Sequence, residues 1–233
     1  MFEFLKNIGR SRERTVIVAI HGFGRRRTDS FAPLKKALEE KHMELVMPEL
    51  YNPANPHDDQ AEAWIHRGES VVDSLLQQNC KVILIGFSMG GVIASHLAAT
   101  KPVSKLILLS PAFNYINLGN TADLIFSRLS STKKDDSRYL PLPSEFTATF
   151  MNVVDSLKQD IALVDCPVII FHGTDDETIS ASSSRKVFKK IPASKKQLIL
   201  LEGADHHLLD DPVYSGFVIE NILSFIKNTK DAQ

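Results

Sequence analysis

The stretch CKVILIGFSMGGVIASHLAAT, residues 80–100, changes from one periodicity to another at a single serine. Its first part is an apolar, largely β-branched run, which is typical of a strand buried on both faces. Its last part predicts a helix. Ser88 stands between the two parts, with Gly86 and Gly90 two positions away on either side. Gly-x-Ser-x-Gly in this setting predicts a sharp strand-to-helix turn that exposes the serine hydroxyl above a sheet.

Apolar strands alternate with helical segments along most of the 233-residue chain. Strands are predicted at 15–22, 43–50, 80–88, 103–111, 166–173 and 196–203. This alternation indicates an α/β fold, a mostly parallel central sheet with helices on both faces, and we expect a single domain over 1–233. The region of approximately 114–165 breaks the alternation. We expect it to form a small helical cap insertion, with a disordered loop as the alternative.

Composition and charge argue against several functional classes. Hydrophobic residues make up 43% of the chain and charged residues 24%, as in globular proteins. The 27 basic and 28 acidic side chains nearly cancel, so no overall field attracts nucleic acid or an anionic membrane. The two cysteines, Cys80 and Cys166, predict buried free thiols in a reducing compartment. We therefore expect a cytoplasmic, soluble protein without a secretory signal or a membrane span.

Three further motifs accompany predicted strands. HGFG at 21–24 leaves the first strand, HGTDDETI at 172–179 ends the fifth, and LEGADHHLL at 201–209 follows the sixth. Together with the Ser88 turn they resemble the α/β-hydrolase superfamily, in which a nucleophile, an acid and a base follow one another as Ser, Asp or Glu, and His. The resemblance covers most of the chain outside the predicted insertion. It is strongest to small carboxylesterases and monoacylglycerol lipases.

The resemblance implies that Ser88 is the nucleophile, Asp176 the acid and His206 the base. Asp175 is the neighbouring alternative for the acid, and a turn or a helix cap would also account for the two aspartates. His207 is the alternative for the base. The segment that follows the fourth strand contains no acidic residue, which excludes the other acid position used in this superfamily. For Ser88 itself, the alternative is an ordinary serine in a glycine-rich turn.

The resemblance also implies an oxyanion hole formed by the backbone N–H groups of Phe23 and Met89. A glycine turn without a catalytic role is the alternative for the HGFG motif. Phe113, Leu140 and Phe150 are candidates to line an acyl pocket, and each also suits the core of the insertion.

Two charged clusters in the sequence are explained most simply without a binding role. Arg25, Arg26 and Arg27 follow the HGFG motif, and three adjacent arginines are typical of a solvated loop. The alternative is that they attract an acidic group on the substrate. The cluster Asp-His-His at 205–207 consists of adjacent residues, and no other ligand follows at helical or hairpin spacing, so we predict no metal site.

The implied function is hydrolysis of carboxylic esters with short- to medium-chain acyl groups, through an acyl-enzyme intermediate. This chemistry requires no cofactor, and its partner is a small-molecule ester. A monoacylglycerol or lysophospholipid lipase is the close alternative, and a non-catalytic ligand-binding protein of the same fold is the alternative from another class. Thioesterases, amidases and acyltransferases share the same apparatus. The sequence leaves a homodimer open and does not identify the physiological substrate.

Overall fold

The computed structural model describes residues 14–24, 30–114 and 142–228. Two of the groups singled out above, the three arginines at 25–27 and the pocket candidate Leu140, therefore lie outside the described residues. The turn at Ser88 and the three motifs at the ends of the first, fifth and sixth strands all fall within the described ranges.

Within the described residues, six strands form one sheet. They are β1 (Thr15–Ile20), β2 (Glu44–Val46), β3 (Lys81–Phe87), β4 (Lys105–Leu109), β5 (Val168–Gly173) and β6 (Lys196–Leu201). Their order across the sheet is β2-β1-β3-β4-β5-β6, and every neighbouring pair is parallel. The register pairs Val16 with Val82 and Ile20 with Gly86. All strands therefore end at the same edge of the sheet, where ligands bind in folds of this class.

Six α-helices of the described residues cover this sheet. They are α1 (Ala32–Glu40), α2 (Ala61–Gln77), α3 (Met89–Thr100), α4 (Glu145–Leu157), α5 (Ala181–Lys190) and α6 (Ser215–Lys227). Helices α1 and α6 pack on one face and the other four on the opposite face, because successive strand side chains point to opposite sides. The predicted α/β fold is confirmed. No described helix is both long and apolar enough to cross a bilayer.

Helix α4 lies within the segment predicted as a cap insertion, 114–165. It connects β4 to β5, and its Phe146, Phe150 and Val154 are buried in the same core as α3. Two adjacent parallel strands require such a crossover across one face of the sheet. The described part of the segment therefore serves as the crossover helix. A cap insertion stays a prediction for 115–141, which lies outside the described residues.

Helix α3 approaches the end of β1 so closely that no side chain fits between them. A Cβ added at Gly90 would overlap the carbonyl oxygen of Ile20 and would lie 2.5 Å from that of His21. Contacts this short do not occur between real Cβ atoms and backbone oxygens. The absence of a side chain at Gly90 therefore lets the first turn of α3 lie against the loop that follows β1.

We predict that Gly90→Ala lowers the free energy of unfolding by about 2–3 kcal/mol, because α3 must shift away from β1. Gly216→Ala is the matched control, since Gly216 also lies in the first turn of a helix but has no atom within 4 Å of its added Cβ. Replacing glycine by alanine there should stabilise the protein by up to about 1 kcal/mol. Urea unfolding of both variants measures this difference. Equal unfolding midpoints for Gly90→Ala and Gly216→Ala would contradict a close approach of α3 to β1.

Candidate active site

Ser88 occupies the turn between β3 and α3 with φ 54° and ψ −120°. This conformation costs about 1–3 kcal/mol for a residue other than glycine, so neighbouring groups must hold it. The Ser88 N–H donates to the Leu109 carbonyl at 3.0 Å. The Ser88 carbonyl accepts from the N–H groups of Gly91 at 2.9 Å and Ala112 at 3.1 Å. The side chain makes no capping hydrogen bond to α3, so the helix does not use the hydroxyl.

Gly86 and Gly90 both lie where backbone segments meet. A Cβ at Gly86 would lie 2.5 Å from Gly91 Cα and 2.8 Å from Ala94 Cβ, on the inner side of α3. The glycine on each side of Ser88 therefore makes room for a different neighbour, α3 in one case and the end of β1 in the other. This crowding explains the Gly-x-Ser-x-Gly pattern in physical terms.

Asp176 and His206 are brought together by the loops that follow β5 and β6. His206 Nδ1 lies 2.7 Å from Asp176 Oδ2, and both side chains are almost completely buried. Because Nδ1 faces a carboxylate, it carries the proton and donates, which leaves a lone pair on Nε2. His206 Nε2 is buried and has no hydrogen-bond partner among the described residues, Ser88 included. Of the two neighbouring alternatives, Asp175 is exposed and His207 is half-buried, and neither takes part in this pair.

The Asp176 carboxylate accepts several further hydrogen bonds. Its Oδ1 accepts from the N–H groups of Thr178 at 2.9 Å and Ile179 at 2.7 Å. His172 Nε2 lies 3.1 Å from its Oδ2. Burial by itself raises the pKa of Asp176. Electrostatic attraction to His206, and hydrogen bonds from both imidazoles and the Ile179 N–H, outweigh burial and hold this pKa well below its ordinary value. Asp176 is therefore ionised at neutral pH.

His172 is a buried histidine that supports this carboxylate. Its Nε2 faces two acceptors, Asp176 and the Ile179 carbonyl at 2.8 Å, so Nε2 carries a proton. Its Nδ1 lies 2.7 Å from the Ser184 hydroxyl, which donates to it when the ring is neutral. In the sequence His172 is part of the HGTDDETI motif, and no role was predicted for its side chain. The contact with Ser184 joins β5 to α5, and no local pattern in the sequence indicates it.

The loop after β1 lies directly against Ser88. A Cβ added at Gly22 would be 3.1 Å from Ser88 Cβ. Phe23 and Met89, the two predicted oxyanion donors, lie on either side of this junction, one in the loop and one at the start of α3. Among the described residues, no group accepts a hydrogen bond from either N–H. Two unused backbone donors therefore belong to segments that meet at the serine.

The described pocket candidates are both buried. The Phe150 ring packs against the Phe23 ring with 5.3 Å between centroids, which brings α4 next to the loop after β1. Phe113 follows Ala112, whose N–H is bonded to the Ser88 carbonyl. Both phenylalanines belong to the core on the α3 face of the sheet.

The Asp-His-His cluster at 205–207 makes contacts within its own loop and with the loop after β5. Asp205 Oδ1 accepts from the His207 N–H at 2.8 Å, while the ring of the histidine between them is directed to Asp176. Over residues 14–24, 30–114 and 142–228, no three His, Cys, Asp or Glu side chains are grouped so that they could hold a metal ion.

Residues 17–214 match the alpha/beta hydrolase family. The chain belongs to this family. The resemblance predicted from the four motifs is thereby confirmed. A curated relative, the alpha/beta hydrolase domain-containing protein aho-3 of Caenorhabditis elegans, is 26% identical over 146 residues, which are 63% of this chain. The matched region spans only 36% of that relative's length.

Two solved structures of this family's fold are similar to the chain. The monoacylglycerol lipase of Paleococcus ferrophilus has a TM-score of 0.73 at 17% identity, and the match covers 92% of this chain and 94% of that one. The esterase EaEST of Exiguobacterium antarcticum has a TM-score of 0.67 at 20% identity, with 92% of each chain covered. At such identities the likeness shows a shared fold.

We predict that Asp176→Asn lowers the free energy of unfolding at neutral pH by about 2–3 kcal/mol, since it removes a buried charge-assisted network. The folded-state pKa of Asp176 lies below its unfolded value of about 4, so the stabilisation is present above that pH and is lost as pH falls through the folded value. The difference between wild type and variant should therefore shrink as the solution is acidified below about pH 4. Urea unfolding at several pH values measures it.

Asp175→Asn is the control for this prediction, because it makes the same change at the neighbouring, exposed aspartate. Its free energy of unfolding should stay within about 0.5 kcal/mol of wild type at every pH. A constant gap between wild type and Asp176→Asn down to low pH would contradict the assigned charge state.

Proposed function

We propose that this protein is a serine hydrolase that cleaves carboxylic esters with short- to medium-chain acyl groups, and that Ser88, Asp176 and His206 form its catalytic triad. The observation that carries the proposal is the buried Asp176–His206 hydrogen bond at 2.7 Å, with an unpartnered lone pair on the other ring nitrogen. Such a dyad supplies a general base whose tautomer is already set. The strained turn at Ser88 supplies the nucleophile that this base serves.

In the proposed first step, Ser88 Oγ attacks the ester carbonyl and passes its proton to His206 Nε2. Asp176 holds the ring and stabilises the imidazolium that forms, without itself taking the proton. No hydrogen bond joins Ser88 to His206 in the structure. Bonds of this kind are commonly long in substrate-free hydrolases and shorten when the substrate binds.

The oxyanion that develops during the attack would accept hydrogen bonds from the N–H groups of Phe23 and Met89. Both donors are backbone groups without an acceptor among the described residues, so they need no rearrangement of other bonds to bind the oxyanion. The Met89 N–H also lies at the start of α3, where the helix dipole favours negative charge.

The tetrahedral intermediate would then collapse, and His206 would return its proton to the leaving alcohol. Water, activated by the same histidine, would attack the acyl-enzyme and release the acid. Each of these steps uses the protein's own groups and water.

The aromatic surroundings of the loop after β1 support small or medium acyl groups. Phe23, Tyr51, Trp64, Phe146 and Phe150 are all buried and pack against one another beside this loop. We infer from this aromatic cluster that a long acyl chain does not enter on this side of the loop. Monoacylglycerol lipase activity is the second candidate, because it is the activity named for the similar structure from Paleococcus ferrophilus.

We predict that Ser88→Ala reduces kcat for ester hydrolysis by about 10⁴- to 10⁶-fold, because the members of a triad act as a unit. A fluorophosphonate probe should label the wild type at Ser88 and should not label the variant. Both proteins must show the same folded circular dichroism spectrum.

Ser95→Ala is the control for the serine replacement. Ser95 lies in α3, the helix that begins directly after Ser88, and its hydroxyl donates to the Gly91 carbonyl at 2.7 Å. This variant should keep hydrolysis and labelling. A folded wild type that neither hydrolyses esters nor reacts with the probe would instead support a non-catalytic, ligand-binding protein.

We also predict a chain-length preference for the wild type. In a series of 4-nitrophenyl esters with about two to sixteen acyl carbons, kcat/KM should peak at or below about eight carbons, since each misplaced methylene changes binding by about 1–3 kcal/mol. The series is measured against Ser88→Ala as the blank. A maximum for long-chain esters, together with hydrolysis of long-chain monoacylglycerols, would favour the lipase.

A further inference from the structure

Tyr51 lies beside the loop that contains the proposed oxyanion donor. Its side chain is buried, and its hydroxyl accepts a hydrogen bond from the Gly24 N–H at 3.0 Å. The same hydroxyl donates to the Gly22 carbonyl at a longer distance of 3.5 Å. These two backbone groups flank Phe23. One phenol oxygen therefore contacts the chain on both sides of the donor.

The Gly22 carbonyl and the Phe23 N–H belong to the same peptide group. In a trans peptide these two groups point in opposite directions, and the described chain contains no cis peptide. The Gly22 carbonyl also lies 2.8 Å from His21 Nδ1, which carries a proton because His21 Nε2 accepts from the Leu50 N–H. With this carbonyl held by His21 and Tyr51, the Phe23 N–H is directed away from both.

Gly24 completes the arrangement on the other side of Phe23. Its φ of 84° lies in the left-handed region, and this conformation turns its N–H onto the Tyr51 oxygen. That N–H is therefore satisfied within the protein. The Phe23 N–H, in contrast, donates to no described group.

A partly exposed ion pair, between Arg67 and the buried Asp58, fixes the backbone on both sides of Tyr51. Arg67 contacts both carboxylate oxygens of Asp58, at 2.7 and 2.9 Å, and also donates to the Leu50 carbonyl at 2.6 Å. Asp58 in turn accepts from the Asn52 N–H at 2.7 Å. The residues directly before and after Tyr51 are therefore both tied to this pair. The ring has a defined position even though it lies outside regular secondary structure.

We propose that Tyr51 is a positioning residue for oxyanion stabilisation, whose hydroxyl holds Gly22 and Gly24 so that the Phe23 N–H faces the developing oxyanion. This inference rests on the function proposed above. Tyr51 does not touch the reacting atoms and acts only through the loop. Burial raises the pKa of the Tyr51 phenol, although the Gly24 N–H opposes this shift, so the hydroxyl stays protonated and can both donate and accept at neutral pH.

The test is Tyr51→Phe in the full chain, which removes the hydroxyl and keeps the ring in the aromatic cluster. We expect kcat per probe-titrated active site to fall about 10- to 50-fold, less than for outright loss of one oxyanion donor. KM should change by less than about threefold, because the contact strengthens in the transition state. The affinity for an alkylboronic acid, which mimics the tetrahedral intermediate, should fall together with kcat.

Tyr214→Phe is the matched control. It also removes a phenol hydroxyl that donates to a backbone carbonyl, that of Glu202 at 2.6 Å, but outside the proposed site. Its kcat, KM and boronate affinity should equal those of wild type. Amide hydrogen exchange gives a second readout that is independent of turnover: exchange at Gly24 should become at least about tenfold faster in Tyr51→Phe and stay unchanged in Tyr214→Phe.

The outcomes separate this inference from the proposed function. An active wild type with an unchanged kcat per active site in Tyr51→Phe would overturn the positioning role and leave the hydrolase proposal intact. Unchanged exchange at Gly24 would overturn it as well. A fall in the number of titratable sites without a change in kcat per site would indicate a purely structural tyrosine. A wild type that is inactive and unlabelled would overturn both proposals at once.

Discussion

The close approach of helix α3 to the end of strand β1 is the constraint on which the rest of the site depends. At Gly90 the separation is set by backbone atoms of the two elements, with no side chain between them. Ser88 is attached to one element and the loop with Phe23 to the other, so their separation is fixed by the same contact. A side-chain contact would tolerate rotamer changes, whereas a backbone contact does not. The sheet can therefore hold a strained serine next to a loop donor with little freedom in between.

A second glycine, Gly173, allows an equally close backbone contact between the end of β5 and the loop after β6. A Cβ at Gly173 would overlap the carbonyl of Ala204 and lie 2.5 Å from that of Asp205. The loops after β5 and β6 are also joined by a hydrogen bond from the Asp175 N–H to the Ala204 carbonyl at 3.0 Å. The Asp176–His206 pair is thus set by backbone geometry, as the serine and the loop after β1 are. The exposed Asp175 contributes through its backbone while its neighbour contributes its carboxylate.

The sequence was sufficient for the fold because the four central strands, β1, β3, β4 and β5, are buried on both faces and read as continuous apolar runs, so the local pattern and the tertiary environment agree. The motif resemblance singled out Asp176 and His206 as candidates, and the coordinates show that these two side chains, rather than those of Asp175 and His207, form a buried pair. Their role with Ser88 stays a prediction. Tyr51 left no such signal. Its partners are 27 and 29 residues away in the chain, and a tyrosine after a short strand is compatible with many environments.

The candidate site consists of two parts, and no hydrogen bond joins Ser88 to His206 between them. Ser88 and the loop after β1 form one part, and the Asp176–His206 pair forms the other. His206 Nε2 is the atom at which the two would join, and it is buried without a partner among the described residues. In the proposed mechanism the Ser88 hydroxyl becomes the hydrogen-bond donor to this nitrogen when the substrate binds, and the proton then passes along that contact.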